Sequence, residues 1–293
     1  MDLQFEAIQL DKQEAYRERL RQCSQISSDY SFSNLFGWAE EYGLSWAWRD
    51  ELVWIRQSKP ELAYWAPVGP WQATDWSALV AAPGGEGATF IRVPEKLLTV
   101  WRSMFGSRVT AEEQRDHWDY LYDIAELVDL KGNRFHKKKN LLNQFMNKYD
   151  YRYHPFSAEM IEPAMAMQAD WCNWRDCESS DVLAAENRSV FKILTHSKDL
   201  PSLTGGVIMV EGMIVAYTLA EELDDDAIVV HYEKGCPDYK GVYQAINQMF
   251  LANLDKRFKW VNREQDLGEP GLRKAKLSYH PAAFLKKYRV SIR

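Results

Sequence analysis

The chain of 293 residues is short of the features that open several familiar chemistries. It has no run of about eighteen apolar residues, so no spanning helix is expected. The opening "MDLQFEAIQLDKQEAYRERL" is too charged for a secretion signal or an anchor, and a soluble, cytoplasmic protein is expected. Cysteine is scarce: Cys23, Cys172, Cys177 and Cys236 form no CxxC, and six scattered histidines form no HExxH pair. Structural thiols in a reducing compartment and no metal are the expectation. GxxxxGK[ST], GxGxxG and GxSxG are also missing, which removes the usual starting residues of P-loop, dinucleotide-fold and hydrolase-elbow enzymes.

What is present is an ordinary globular composition, 46% hydrophobic and 27% charged, with length for two cores. Formal net charge is −6, yet two segments are strongly basic. Residues 131–148, "KGNRFHKKKNLLNQFMNK", hold six Lys/Arg and no Asp/Glu, and residues 256–293 hold eleven against three. A net acidic protein can still offer an anion a focused positive surface, because local potential governs steering. The plainer alternative is a pair of solvated helix faces.

The second half alternates between strand and helix patterns. "DYRYHPF" reads as a strand, 159–174 and 181–197 as helices, and "GVIMVEGMIVAYTLAEEL" as a hairpin turning at Glu211-Gly212. "AIVVHYEKG" is a third strand, "KGVYQAINQMFLANL" an amphipathic helix and "FKWVN" a fourth strand. Asp224 to Asp226 read as a solvated loop. This order resembles the GNAT acyltransferase fold. The first half echoes it with helical "SFSNLFGWAEEYG", a hairpin turning at 49–51, strand-like "LAYWAPVG", helical "DWSALVAA" and strand-like "TFIRV". The expected architecture is α/β with mixed sheets, in two tandem GNAT-like domains at 1–148 and 149–293; an unrelated α+β first domain is the alternative. Most of the twelve tryptophans, Trp38, Trp46, Trp48, Trp54, Trp65, Trp71 and Trp76 among them, are assigned to packing, with stacking on an adenine the lesser reading.

At the junction, one helix over 133–148 would put Phe135, Leu142, Phe145 and Met146 on its packed side and cations on the rest. "DLKGNRFHKKKNLLNQF" together with "NREQDLGEPGLRKAKLSYHP" resembles the soluble members of the phosphatidylglycerol lysyltransferase C-terminal-domain family, tandem GNAT proteins related to the Fem aminoacyltransferases. The resemblance implies transfer of an aminoacyl group from aminoacyl-tRNA, the favoured co-substrate, to an amine or hydroxyl on a small molecule, peptide or lipid acceptor. Simple GNAT enzymes seat the CoA pyrophosphate on a [QR]xxGx[GA] cradle. Here the stretch is Lys240-Gly241-Val242-Tyr243-Gln244-Ala245, and a tyrosine stands at the second glycine, which disfavours CoA.

An aminoacyl ester is already activated, so transfer needs an oriented nucleophile, a base for its proton and support for the oxyanion. Glu264 and Asp266, two apart near a strand end, are the candidate bases, expected on one face. Their alternative is pairing with Arg263 and a loop N–H, or capping of the next helix. Tyr279 is a candidate donor to the leaving oxygen, with packing its alternative. A groove between the domains is expected, lined by Arg134, His136, Lys137, Lys138 and Lys139 from one block and Asn262, Arg263, Arg273, Lys274, Lys276 and His280 from the other. Pro270 opens a short helix or a type II turn, after which Arg273 and Lys276 share one face, able to hold a phosphate, while Lys274 lies on another flank. Pro281 ends that segment by forcing His280 out of helical geometry. His231 and Glu233, ending the third strand, are the second-choice base positions. The rival functions are an acetyl-CoA-dependent N-acyltransferase and a non-catalytic binder of RNA or an anionic metabolite.

Overall fold

Among the described residues, β-branched and aromatic runs broken by turn residues build two sheets of seven strands. The computed structural model describes residues 3–76 and 89–293. In chain order, β1 (Glu6–Ala7), β2 (Ser45–Arg49), β3 (Leu52–Gln57), β4 (Ala63–Trp65), β5 (Thr89–Pro94) and β6 (Val109–Glu113) enter the first sheet. The second takes β7 (Asp119–Asp123), β8 (Tyr151–Pro155), β9 (Leu203–Val210), β10 (Met213–Glu222), β11 (Ala227–Gly235), β12 (Trp260–Asn262) and β13 (Ala283–Leu285). The last strand, β14 (Lys287–Ile292), returns to the first sheet. The helices are α1 (Gln13–Leu20), α2 (Phe32–Tyr42), α3 (Glu95–Phe105), α4 (Ile124–Asp129), α5 (His136–Lys148), α6 (Ile161–Arg175), α7 (Asp181–Thr195), α8 (Val242–Ala252) and α9 (Pro270–Leu277).

The sheet orders are β1-β2-β3-β4-β5-β14-β6 and, read from the other edge, β8-β9-β10-β11-β12-β7-β13. Position for position they match, and in each the fourth and fifth strands run parallel, β4 with β5 and β11 with β12. Two copies of one topology result: an α/β protein of two tandem GNAT-like domains. The compact units do not divide after Lys148, as the sequence had suggested. One unit is Met1–Asp119 with Gln265–Glu269 and Phe284–Arg293; the other is Tyr120–Glu264 with Pro270–Ala283. The physical reason lies in strand pairing: β7 bonds β12, whereas β14 bonds β5 and β6.

Most elements fall where periodicity put them. Glu211 and Gly212 both take positive φ, 52° and 80°, the hairpin geometry expected there. Asp224 Oδ1 accepts from the amides of Asp226 and Ala227, a turn as expected. Apart from Asp75 and Trp76, the expected helix "DWSALVAA" lies outside the described residues. Two expectations fail. Met146 is 43% exposed instead of packed. Cys172 and Cys177 form a disulfide, because Asp176 (φ 51°) and the short 3-10 turn at Cys177–Ser179 fold the chain back on the end of α6. Cys23 and Cys236 are free and buried, and burial pushes the Cys23 thiol up to about 12.

In the first unit, Trp46, Trp54, Trp65, Trp71, Trp76 and Trp101 are core, and Trp38 and Trp48 are half buried. Its parallel pair is registered only at Tyr64↔Phe90 and Trp65↔Ile91. Just past that point the Tyr30 hydroxyl accepts from Ala66 N (2.9 Å) and donates to the Arg92 carbonyl (3.0 Å), so a phenol occupies the opening between the two strands. Beneath lies a buried charge cluster. Asp29 is held by Arg92 and Lys287, while Lys287 Nζ also donates to Asp119 Oδ1 (2.6 Å). Asp119 takes two further bonds from Ser28, at 2.8 Å each. Burial opposes ionisation of Asp29, but the two cations outweigh it and hold the carboxyl below its usual range.

Candidate active site at the strand split of the second unit

The parallel ladder of β11 and β12 is short. It pairs Ala227↔Trp260, Ile228↔Val261 and Val229↔Asn262; β11 then continues to Gly235 while β12 stops. On its other side β11 carries a bulge: Leu219 pairs with Tyr232 and Ala220 with Val230, leaving His231 as the extra residue. A bulge re-aims a side chain, and it falls where the two strands lose their pairing.

Two side-chain bridges span the split. His231 Nδ1 lies 2.8 Å from Glu264 Oε1, and its Nε2 lies 3.3 Å from Glu221 Oε2. Arg263 donates to Glu233 Oε1 at 2.9 Å, and Asn247 of α8 donates to Glu233 Oε2 at 3.3 Å. Glu264 has φ 54°, rare for a residue with a side chain, and its backbone is pinned: its N–H donates to Asn262 Oδ1 (2.8 Å) and its carbonyl accepts from Tyr120 N (3.2 Å). Asn262 is therefore buried and occupied with the turn, a fold role in place of the expected substrate contact.

Lys138 enters this region from α5. Phe135, Leu142 and Phe145 are buried, and Lys138 sits at helical spacing on the same stripe, half buried, while Lys137 and Lys139 are exposed. Its Nζ is 4.0 Å from the Tyr279 ring centroid, and the Arg263 guanidinium is 5.0 Å from the same ring. Burial first, then the neighbouring Arg263 charge, holds the Lys138 ammonium below its ordinary value, with Glu233 opposing. Tyr279 is buried, accepts from Gln244 Nε2 at 3.3 Å, and keeps its proton because burial outweighs Arg263.

The two basic blocks thus come together inside the second unit. His280, at φ 55°, reaches the Arg134 carbonyl (3.2 Å) and sets its ring edge-on to Phe135. Arg134 itself pairs with Glu126, and His136 lies 3.5 Å from Asn140 on the exposed face of α5. Pro270 opens α9, as one of its two expected placements had it, and Lys274 is exposed. Lys276, expected to share a phosphate with Arg273, has its ammonium donating to the Arg263 carbonyl, because α9 lies against the β12 exit. Arg273 is half buried on the same helix.

Asp266 departs most from expectation. Left-handed Glu264 breaks the strand alternation, so the two carboxylates do not share a face. Asp266 belongs to the first unit, where it is fully buried, pairs with Arg115 at 3.2 Å and accepts from Gly268 N at 2.9 Å. Those are the contacts of a turn-forming carboxylate.

His231 is equally unlike a base. Burial penalises its charged form, but the bonds to Glu221 and Glu264 prevail and lift it to about 9. His117, in the first unit, moves the other way: burial, then Arg92, lowers it to about 4. Both start from 6.5 when unfolded. The His117 contribution is present above 6.5 and lost as pH falls toward 4, and that of His231 is complete below 6.5 and lost as pH rises through 9. The unfolding midpoint is therefore expected to peak near pH 6.5, and His231→Gln to flatten the alkaline decline. Calorimetry from acid to alkaline pH checks this; a wild-type midpoint level across the alkaline side would contradict it.

Sequence reasoning missed Glu221, which looks like one more acid at the end of a solvated strand, and the amides of α5. Asn140, Asn143, Gln144 and Asn147 repeat at helical spacing and, with Lys148 and Lys240, line an open cleft of about 600 Å³. Beside it, Gly241 takes φ 90°, and a Cβ there would stand 2.2 Å from the Leu141 carbonyl oxygen, so α5 and α8 cross closely. Tyr243, next on α8, accepts from Trp171 Nε1 at 3.0 Å. Among the described residues no group of His, Cys, Asp and Glu is placed to hold a metal, and no helix is long and apolar enough to cross a membrane.

A Bacteroides thetaiotaomicron protein described as conserved and of unknown function has a solved structure similar to this chain, with TM-score 0.91 and 30% identity over 99% of this chain and 100% of that one. L-PGS from Bacillus licheniformis is similar in fold, with TM-score 0.64 and 13% identity over 98% and 93% of the two chains. An uncharacterised Mycoplasmoides gallisepticum protein, MYCGA3080, is 22% identical over 59% of this chain, a match spanning 56% of that relative's length. The pattern of the family described as "Phosphatidylglycerol lysyltransferase, C-terminal" matches residues 20–291. Matched over nearly its whole length, the chain belongs to that family.

Proposed function

We propose that the protein transfers an aminoacyl group from aminoacyl-tRNA to an amine or hydroxyl acceptor, at the split between β11 and β12. The observation that carries this reading is the set of groups gathered there, Glu264 beside the Lys138, Arg263 and Tyr279 cluster, in a chain of this family. In the reaction the acceptor nitrogen or oxygen bonds to the ester carbonyl carbon, and its proton passes to the Glu264 carboxylate. Lys138 and Arg263 stabilise the oxyanion, and Tyr279 protonates the departing ribose oxygen as the C–O bond breaks. Asp266 has no part in it.

The amide and lysine cleft on α5 supports a polyanionic donor, since no carboxylate lies between Lys131 and Lys148. The crowded start of α8 argues against a CoA pyrophosphate: Gly241 is pressed to a carbonyl oxygen and Tyr243 replaces a glycine. Radiolabelled aminoacyl-tRNA with a panel of amine and hydroxyl acceptors tests the reading, alongside calorimetric titration with acetyl-CoA. Turnover with the former and no heat with the latter are expected. Affinity for tRNA should fall about tenfold or more between roughly 50 and 200 mM salt. Stoichiometric acetyl-CoA binding, or a flat salt dependence, would count against it.

A further inference from the structure

Behind Glu264 runs a chain of polar contacts that the proposed reaction does not yet use. Ser202 Oγ donates to Glu221 Oε1 at 3.0 Å; Glu221 Oε2 faces His231 Nε2 at 3.3 Å; His231 Nδ1 faces Glu264 Oε1 at 2.8 Å. From Glu221 outward exposure rises: the side chains of Glu221 and His231 are 2% and 3% exposed and that of Glu264 is 21%. Among the described residues Glu264 Oε2 takes no hydrogen bond, so one carboxylate oxygen is fixed from behind and the other is left to the split. Two further features hold the geometry. His231 owes its aim to the bulge, and the φ of 54° at Glu264 is sustained by the Asn262 and Tyr120 bonds.

We infer that Glu221 and His231 are positioning residues for Glu264: Glu221 keeps a proton on each ring nitrogen of His231, and the doubly donating ring fixes the direction of the Glu264 carboxylate. The inference rests on the reaction proposed above. An imidazole with an acceptor at each nitrogen has only one way to satisfy both, which is to donate twice as the cation. The elevated His231 value agrees with that state. Glu233, two residues on along β11, and Arg263, which precedes Glu264, are paired with each other. The ring of Tyr232, 6.2 Å away, is the next titratable group along β11. In the transfer the acceptor's proton goes to Glu264, and Glu221 and His231 hand on none. Losing either misaims the base, and a misplacement of that kind costs about a hundredfold in rate.

The experiment compares Glu221→Gln, Glu221→Asp, His231→Gln and the Glu221→Gln/His231→Gln double variant in aminoacyl transfer. Nitrogen-15 histidine spectra of wild type and Glu221→Gln are recorded in parallel. Expected are a wild-type ring protonated at both nitrogens at neutral pH, and a lower titration midpoint in Glu221→Gln. Expected too is a kcat fall of about ten- to a hundredfold in Glu221→Gln with KM within about twofold, partial rescue by Glu221→Asp, and a double variant no worse than His231→Gln alone. A wild-type ring neutral at neutral pH overturns the inference, because that readout needs no turnover. Wild-type turnover with an unimpaired Glu221→Gln variant, or losses that multiply in the double variant, overturns it and leaves the reaction standing. No wild-type turnover with any acceptor removes the reaction, and the inference with it.

Discussion

Replacing Lys287 by methionine is expected to cost the first unit about 3–5 kcal/mol and to lower its unfolding midpoint on the order of 10 °C. Lys287 is fully buried and its ammonium serves two buried carboxylates, Asp29 and Asp119, while Arg92 serves only Asp29. Methionine fills the space but takes from Asp119 its lysine partner, leaving the Ser28 bonds in place, and leaves Asp29 with Arg92 as its cation. Removing the cation from a buried ion pair leaves the remaining charge less well compensated, and that is costly. Adding Asp119→Asn to Lys287→Met should recover part of the loss, because the second change neutralises a carboxylate from which the first took its lysine. Chemical denaturation of the four proteins in the cycle reads this directly. A single-variant loss below about 1 kcal/mol would mean that water reaches the cluster.

The second large effect is on turnover. Lys138→Ala is expected to lower kcat/KM about a hundred- to a thousandfold, the range for removing one donor from an oxyanion site. The unfolding midpoint should barely move, since the contact of Lys138 with protein is a half-exposed one over the Tyr279 ring. Lys137→Ala and Lys139→Ala, whose side chains are exposed, should each cost about twofold or less and act through salt-sensitive donor affinity. Equal losses at all three lysines would show that they contribute only a diffuse field. Lys138→Arg should recover little, because a planar fork does not replace a point charge packed on a ring.

That contrast bears on how far the sequence could be read. The triplet Lys137-Lys138-Lys139 is uniform as text, but the apolar residues around it, Phe135, Leu142 and Phe145, already mark 138 as the member on the packed stripe. Much of the second half was legible because α7 and α8 carry the helical period and β9 and β10 are apolar runs joined at the Glu211-Gly212 turn. Three things were not. The pairing of β14 with β5 joins residues nearly two hundred apart, and no local pattern encodes it. The bulge at His231 shifts the alternation of β11 by one, so neither the partners of the histidine nor the burial of Glu221 can be counted from a period of two. The positive φ at Glu264 likewise separates it from Asp266, which spacing alone had set beside it.

The place of β14 also has a bearing on synthesis. The second unit closes with Pro270–Ala283, whereas the first still needs Phe284–Arg293, and with it the Lys287 ammonium that its two buried acids are built around. On the ribosome, then, the half translated first is the half finished last. Until residue 287 clears the exit tunnel, Asp29 and Asp119 wait without their shared counter-ion, in a sheet with an unpaired edge at β5 that invites capture by chaperones or by another nascent copy.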